Sequence, residues 1–374
     1  MAPASVSIVI NNYNYAEFLA ECVESVLGQT VPPTEIIVVD DGSTDDSRAI
    51  IKSYAGRLIP VLKENGGQSS AFNAGFAASN GDVVIFLDSD DLLLPTCVEA
   101  VEPLFGDPGV SKVHWPLIII DGKGRATGRL RPHQSLPEGD LGDRMVAKGP
   151  GGYLSPPTSG NAWSRRHFLD HVMPIPEIGD GHGADAFLIT LAPLYGRVHR
   201  LENPQGCYRT HEKSFTGRLL SGRIQRNKER FDRLSEALEE HCRRLGLEPD
   251  PESWKRDSWH FRCAETLRDL ERVLPQHERF ALINESELGF GEIIEGRVAV
   301  PFPHREGKEW GAPASDDDAI HELVDLKRSG IRTMVIGSPS FWWFEYYPGF
   351  VHHLRTAGDC LLENDRVVVF ALRD

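Results

Sequence analysis

Three carboxylates, Asp88, Asp90 and Asp91, follow directly on the unbroken apolar run Val83-Val84-Ile85-Phe86-Leu87. A run that is apolar on both faces reads as a buried strand of a parallel sheet. In extended backbone Asp88 and Asp90, two apart, project to the same side, which makes a two-carboxylate pincer at the strand's carboxyl end. Open α/β sheets bind ligands at that edge, and hard divalent cations take one or two carboxylates plus substrate phosphate oxygens. A metal-bridged nucleotide diphosphate suits such an edge. The plainer reading is a solvated turn, with Asp91 before Leu92-Leu93-Leu94-Pro95 capping the next helix.

A pincer needs a framework, and the preceding residues supply one. Val6-Ser7-Ile8-Val9-Ile10 reads as a first strand, and Phe18, Leu19, Cys22, Val23, Val26 and Leu27 repeat at helical spacing behind it. Glu35-Ile36-Ile37-Val38-Val39 is a second strand, followed by Asp40-Asp41-Gly42-Ser43-Thr44-Asp45, where Ser43 or Thr44 is expected to cap a helix running to about Tyr54. A third strand over 58–62, the turn Asn65-Gly66-Gly67-Gln68 and a small-residue helix over 69–79 precede the acidic strand. Strands alternating with helices imply a doubly wound, mostly parallel α/β sheet with right-handed crossovers.

Composition sets the bounds. A chain of 374 residues with net charge −15 buries a full core and lacks the basic surface that nucleic acid or an anionic membrane would need as the main partner. Six cysteines at 22, 97, 207, 242, 263 and 360 show no metal-ligand spacing and read as small core residues of a reducing compartment. No stretch reaches transmembrane length and no basic, apolar leader precedes the first strand, so the expected location is cytoplasmic, or peripheral at the inner membrane face.

Four motifs now stand in order: Val-Ile-Asn-Asn-Tyr-Asn at 9–14, Val-Val-Asp-Asp-Gly-Ser-Thr-Asp at 38–45, Asn-Gly-Gly-Gln at 65–68 with Asn73-Ala74-Gly75 behind it, and Phe-Leu-Asp-Ser-Asp-Asp at 86–91. Together they resemble family 2 glycosyltransferases of the GT-A fold over roughly residues 5–215. The resemblance implies inverting transfer of a sugar from a nucleotide-diphosphate donor to a hydroxyl of a carbohydrate or lipid-linked acceptor, with Mn2+ or Mg2+, in cell-surface or exopolysaccharide synthesis. It implies that Tyr13 stacks on the base, Asp41 accepts the imide N–H of a uracil or thymine, Asp88 serves the ribose and Asp90 the metal. Asn11, Asn65, Gln68, Asn73 and Ser89 belong to the same nucleotide-binding motifs. Asp40 is expected to serve mainly as a turn residue.

The resemblance continues downstream. Thr158-Ser159-Gly160-Asn161-Ala162 resembles the floor of the acceptor site, after a Gly- and Pro-rich stretch over 130–160 that reads as site-lining loops. A single inverting displacement needs a base for the acceptor hydroxyl, and Asp185 resembles the family's base at the start of a helix. In the family that base usually follows a Glu; here Ala184 precedes it, which leaves Asp180 and His182 as alternatives. A plain carboxylate at a helix N-terminus is the bland reading of Asp185. Cys207-Tyr208-Arg209-Thr210-His211 resembles the Tyr-Arg-x-His element that closes such domains, implying that His211 supplies a metal ligand or touches the diphosphate and that Arg209 neutralises charge at the diphosphate.

A single strand over 112–120 and a turn at 121–124 read as a hairpin. The expected domains are a catalytic one over 1–217, a helical hairpin or linker over 218–288, and a small α/β unit of unknown role over 289–374. The hairpin, with Leu234, Leu238 and Leu245 on one face, is a brace or a surface for a homo-oligomer or acceptor. The aromatic run 341–347 is expected in a core ahead of a sugar-binding platform. A dinucleotide oxidoreductase is excluded, because Asn-Asn-Tyr-Asn stands where a Gly-x-Gly-x-x-Gly turn is required. A non-catalytic sugar-nucleotide-binding or scaffold protein of the same fold is the remaining alternative.

Overall fold

The computed structural model describes residues 3–176, 183–211, 223–283, 296–305, 308–309 and 313–373. Two compact units divide the chain: residues 1–218 with 229–254, and residues 219–228 with 255–374.

In the first unit, β1 (Val6–Asn12), β2 (Glu35–Asp41), β3 (Ile59–Lys63) and β4 (Val83–Asp88) pair in parallel, joined by α1 (Ala16–Leu27), α2 (Ser47–Ser53) and α3 (Gly67–Ala78). All five apolar residues of β4 are fully buried, as expected of a strand covered on both faces. Helix α3 lies so close to the sheet that a Cβ on Gly75 would stand 2.2 Å from Val9 Cγ1. After the short β5 (Leu92–Leu93) and α4 (Cys97–Val101), the expected single strand over 112–120 breaks at Trp115-Pro116 into β6 (Val110–His114) and β7 (Leu117–Asp121). Proline has no N–H for a ladder, and the two halves enter different sheets. β7 does form the expected hairpin, with β8 (Ala126–Arg131).

Following α5 (Gly142–Lys148), β9 (Asn161–Ser164) inserts antiparallel between β4 and β6. The short α6 (Asp170–Val172), α7 (Ala184–Tyr195), β10 (Arg197–Arg200) and β11 (Gly206–Thr210) complete the part before residue 212. The main sheet has the order β10-β6-β9-β4-β1-β2-β3, and a second sheet the order β5-β11-β7-β8. The chain moves outward from β1 to β2 and β3 and then returns to place β4 on the other side of β1. A ligand crevice belongs at the carboxyl ends of the strands where the order reverses.

Helix α8 (Arg223–Arg244) contributes its Glu229–Arg244 part to the first unit, where Phe231, Leu234, Leu238 and Cys242 join the core. Leu245, expected on the same face, is exposed. The expected helical segment over 218–288 is thus shared between the two units. α9 (Pro251–Asp257) is divided as well, with residues 251–254 in the first unit and 255–257 in the second, and α10 (Trp259–Val273) belongs to the second unit. β12 (Arg279–Ile283), β13 (Val298–Pro301), β16 (Thr333–Gly337), β17 (Gly358–Glu363) and β18 (Val367–Leu372) form a five-stranded sheet, and β14 (His304–Arg305) and β15 (Lys308–Glu309) a separate pair. α11 (Asp316–Arg328), α12 (Trp343–Tyr346) and α13 (Pro348–Ala357) are the helices here. The aromatic run divides: Trp343 and Tyr347 are buried in the core, whereas Trp342 and Tyr346 are exposed. Five cysteines are buried as expected, but Cys360 is exposed.

Candidate active site

A cleft of about 470 Å³ opens in the first unit at the carboxyl ends of β1, β2 and β4. Asn11 and Asp88 are register partners on β1 and β4, so the order reversal brings their side chains to one floor. Both amide atoms of Asn11 and the Ser89 hydroxyl are buried there without a hydrogen-bond partner among the described residues. Tyr13 stands 47% exposed at the cleft, an aromatic face open to stacking.

The acidic motif is built differently from an extended pincer. β4 ends at Asp88, and Asp91 N donates to Asp88 O at 3.0 Å, so Ser89 and Asp90 form a turn rather than a strand. Asp88 and Asp90 nevertheless both line the cleft, with Asp185. Burial, and then the charges of Asp90 and Asp185, push the Asp88 carboxyl up to about 8. Asp91 does not cap a helix. Its buried carboxylate accepts from Ser159 Oγ at 2.7 Å and from Arg209 N at 2.8 Å, tying the turn to β11 and to the floor segment at 158–160. Burial holds it well above the usual carboxylate range.

Asp90 and His211 meet: His211 Nε2 lies 3.1 Å from Asp90 Oδ2. Phe18 and Tyr15 hold the imidazole, at centroid distances of 4.7 and 5.5 Å. A carboxylate beside an imidazole fits a divalent cation whose other ligands come from a substrate, since such cations complete their shell with phosphate oxygens and water. The described residues assemble no cluster of three or more His, Cys, Asp or Glu that could hold a metal.

Asp185 sits in the first turn of α7, and Gln68 holds that turn. Gln68 Oε1 accepts from Gly183 N at 3.0 Å and from Ala184 N at 3.2 Å, satisfying two N–H groups that an open helix start leaves bare. Behind α7 lies Lys112, fully buried, donating to Tyr153 Oη at 3.1 Å and Ser155 Oγ at 2.6 Å. Tyr153 Oη donates in turn to Ile189 O of α7 at 2.9 Å. Burial lowers the Lys112 ammonium well below its ordinary value, and Asp185 opposes that shift.

Residues 7–170 match the family model described as glycosyl transferase family 2. This segment of the chain is similar to family 2 glycosyltransferases. An uncharacterised glycosyltransferase of Nostoc sp. is 37% identical over 210 residues, covering 55% of this chain and 65% of that protein. One from Rickettsia prowazekii is 42% identical over 94 residues, 25% of this chain and 30% of its own. The chain therefore spans less than two thirds of the length of either relative. Solved structures with a similar course include Staphylococcus aureus TarS in complex with UDP, at 19% identity and a TM-score of 0.48, over 71% of this chain and 72% of that one. Another is glucosyl-3-phosphoglycerate synthase from Mycobacterium tuberculosis with Mn2+, UDP and phosphoglyceric acid, at 20% identity and a TM-score of 0.42, over 66% and 80%.

Around the cleft several expected roles change. Arg209 does not reach the cleft: its guanidinium, 1% exposed, is spent on Glu21 Oε2 at 2.6 Å and on Asp90 O at 2.8 Å. It positions the acidic turn instead of facing a diphosphate. Asn73 exchanges two bonds with the Ile175 backbone, at 2.8 and 2.7 Å, and clamps α3 to the segment before α7. Asp41 lines the cleft, yet its carboxylate accepts from Gly66 N at 3.0 Å, from Gly67 N at 2.8 Å and from Lys63 Nζ, and so anchors the start of α3. Asn65 closes the same turn, donating to Asp41 O at 3.0 Å. Ser43 and Thr44 do not cap α2; Ser43 Oγ accepts from Asn14 N, and Asp45 accepts from Ser47 N. Asp40, expected as a turn residue, lies instead within β2, where its buried carboxylate accepts from Arg48, Asn12 and Ser43 N.

Asp180 and His182 lie outside the described residues. Ala184 is fully buried in the core, so a Glu there would carry a charge into apolar packing rather than into the cleft. The cations that do line the cleft, Arg131 and Arg230, were not singled out by the sequence. Arg131 had only the signal of a loop-rich neighbourhood, and Arg230 sits in a charge-dense helix where nothing in the local pattern distinguishes it.

Proposed function

We propose that this protein is a divalent-metal-dependent inverting glycosyltransferase that moves a sugar from a UDP or dTDP donor to a hydroxyl acceptor, in cell-surface or exopolysaccharide glycan synthesis. The observation that carries the reading is the meeting of Asp90 and His211, 121 residues apart, at 3.1 Å beside unpartnered polar groups at the strand ends. Tyr13 supplies the stacking face for the base. Lys63 is the exchangeable partner of Asp41: its ammonium, 22% exposed, can swing to water and leave a lone pair for a base imide N–H, whereas the Gly66 and Gly67 donors are fixed. Asp88, Asn11 and Ser89 serve the ribose and the adjoining phosphate.

Mn2+ or Mg2+ held by Asp90 and His211 would supply positive charge for the departing diphosphate. Arg131, stacked at 4.5 Å on the ring of Tyr208, stands on the wall formed by the strand that leads to His211, and takes over the diphosphate role expected of Arg209. Asp185 accepts the acceptor hydroxyl proton. Asp41, Asp88 and Asp90 are committed to base, ribose and metal, and Asp185 is the remaining carboxylate among the described residues lining the cleft.

The reading is tested by calorimetric titration of UDP and GDP with and without Mn2+, together with donor hydrolysis. UDP binding should need the metal, exceed GDP binding, and vanish in Asp90→Ala with the circular dichroism spectrum unchanged. Equal binding of UDP by parent and Asp90→Ala at the same metal concentration would sink the metal assignment, and preference for GDP would overturn the base assignment. Metal-dependent UDP binding without any turnover of UDP-sugars would favour a binding protein over an enzyme.

A further inference from the structure

We infer that the acceptor of this transferase carries an anionic group, a phosphate or a carboxylate, and that Arg230 binds it. The inference rests on the transferase reading above and names the acceptor's chemical class. Arg230 lines the cleft, its Nε is buried without a hydrogen-bond partner, and it forms no ion pair among the described residues. A guanidinium in a cleft that also holds Asp88, Asp90 and Asp185, yet bonded to none of them, has a buried Nε donor that, among the described residues, is open to a ligand. Its planar fork matches the paired oxygens of a carboxylate or phosphate.

The helices settle which part of the reaction Arg230 serves. Tyr195 at the end of α7 hydrogen-bonds His241 of α8, Oη to Nδ1 at 2.6 Å. Counting back from that joint, Asp185 lies ten residues earlier on α7 and Arg230 eleven earlier on α8, about 15 and 16.5 Å at the helical rise. Because both residues also line one cleft, the two helices run from the cleft toward that joint in the same direction, which puts Arg230 on the α7 side of the cleft. The metal pair and Arg131 stand instead with β11 and the end of β4. A cation on the side of the cleft that carries the base faces the molecule whose hydroxyl the base deprotonates, and the donor diphosphate is served by the metal pair and Arg131. A neutral acceptor would leave this guanidinium bare.

The test uses the full chain and three titrants, glycerol 3-phosphate, glycerate and neutral glycerol, at constant ionic strength, each with and without saturating UDP and Mg2+. The phosphate or the carboxylate should bind the parent while glycerol does not, and the tighter of the two identifies the group. Arg230→Gln should weaken that binding at least about tenfold, the usual weight of a charge-assisted hydrogen bond, with UDP affinity within about twofold of the parent. Arg230→Lys should restore part of it by keeping the charge. Equal anion binding by parent and Arg230→Gln, or a matching loss of UDP affinity in that variant, would overturn the inference. The nucleotide-free titrations answer the question for Arg230 even if the parent fails to bind UDP, an outcome that would strike the transferase reading instead.

Discussion

Asp88, Asp90 and Asp185 bring three carboxylates to one cleft, and their environments divide their work. Two unit charges about 4 Å apart at an effective dielectric of ~20 repel by ~4 kcal/mol, so a bare diphosphate cannot enter without cations. Asp90 has His211 beside it, the pair proposed to share a metal, and Asp88 is pushed up to about 8 by burial and its acidic neighbours. In the proposed reaction Asp185 is left to take the proton. Asp185→Asn keeps the shape and removes the basicity, so transfer should fall by about 10²–10⁴ with UDP and metal affinity nearly unchanged. Single-turnover kinetics beside UDP titration would show this; near-parental rates in Asp185→Asn would move the base to Asp180 or His182.

Elements matter through the bonds that fix their ends. Helix α7 starts where it does because Gln68 of α3 accepts from two of its first N–H groups. Gln68→Ala should cost about 1 kcal/mol of stability, the usual weight of an N-cap. It should also lower kcat about tenfold or more, since a base displaced by an ångström loses its alignment. A variant with the stability loss and parental kcat would show that the cap holds the helix without governing the base. A second joint gives pH dependence. Burial and the Arg244 charge lower His241 to about 4, and burial keeps His114 neutral as well, so both fold uncharged while the unfolded chain protonates them near 6.5. Their contribution is present above pH 6.5 and is lost as pH falls toward the folded values, by at most about 1.4 kcal/mol per pH unit for each histidine. Melting temperature should therefore decline from pH 7 to 5, and His241→Gln should flatten that slope; an unchanged slope would contradict the assignment.

At the scale of the molecule, the chain holds two units, each with its own apolar core. The cleft belongs wholly to the first unit, since Arg230 lies in the 229–254 segment that joins it. Calorimetry should resolve two unfolding transitions. UDP with Mg2+ at one hundred times its dissociation constant stabilises the unit that binds it by about 2.7 kcal/mol. One transition should then rise by about 5–10 °C while the other stays in place. A single transition, or two that shift together, would mean that the units unfold as one.

The α/β alternation, the buried acidic strand and the cleft's position at the carboxyl edge were legible from the sequence, because periodicity and strand-end carboxylates are local properties. His211 stood in a recognisable motif, although the sequence could not show Asp90 beside it. Other assignments depended on where distant segments pass. Arg209 looked like the diphosphate cation, but Glu21 and the Asp90 carbonyl claim its guanidinium 188 and 119 residues away in sequence. Arg131 and Arg230 carry no distinguishing local pattern, yet the β7–β8 hairpin and the packing of α8 deliver them to the cleft. Asp91 looked like a cap because the following residues suggested a helix, whereas Leu92–Leu93 pairs with β11 and turns that carboxylate inward. Residue types and spacing determined which chemistry the chain could perform. Only tertiary structure decided which side chains are free to perform it, because a charged group is spent wherever the fold gives it a partner first.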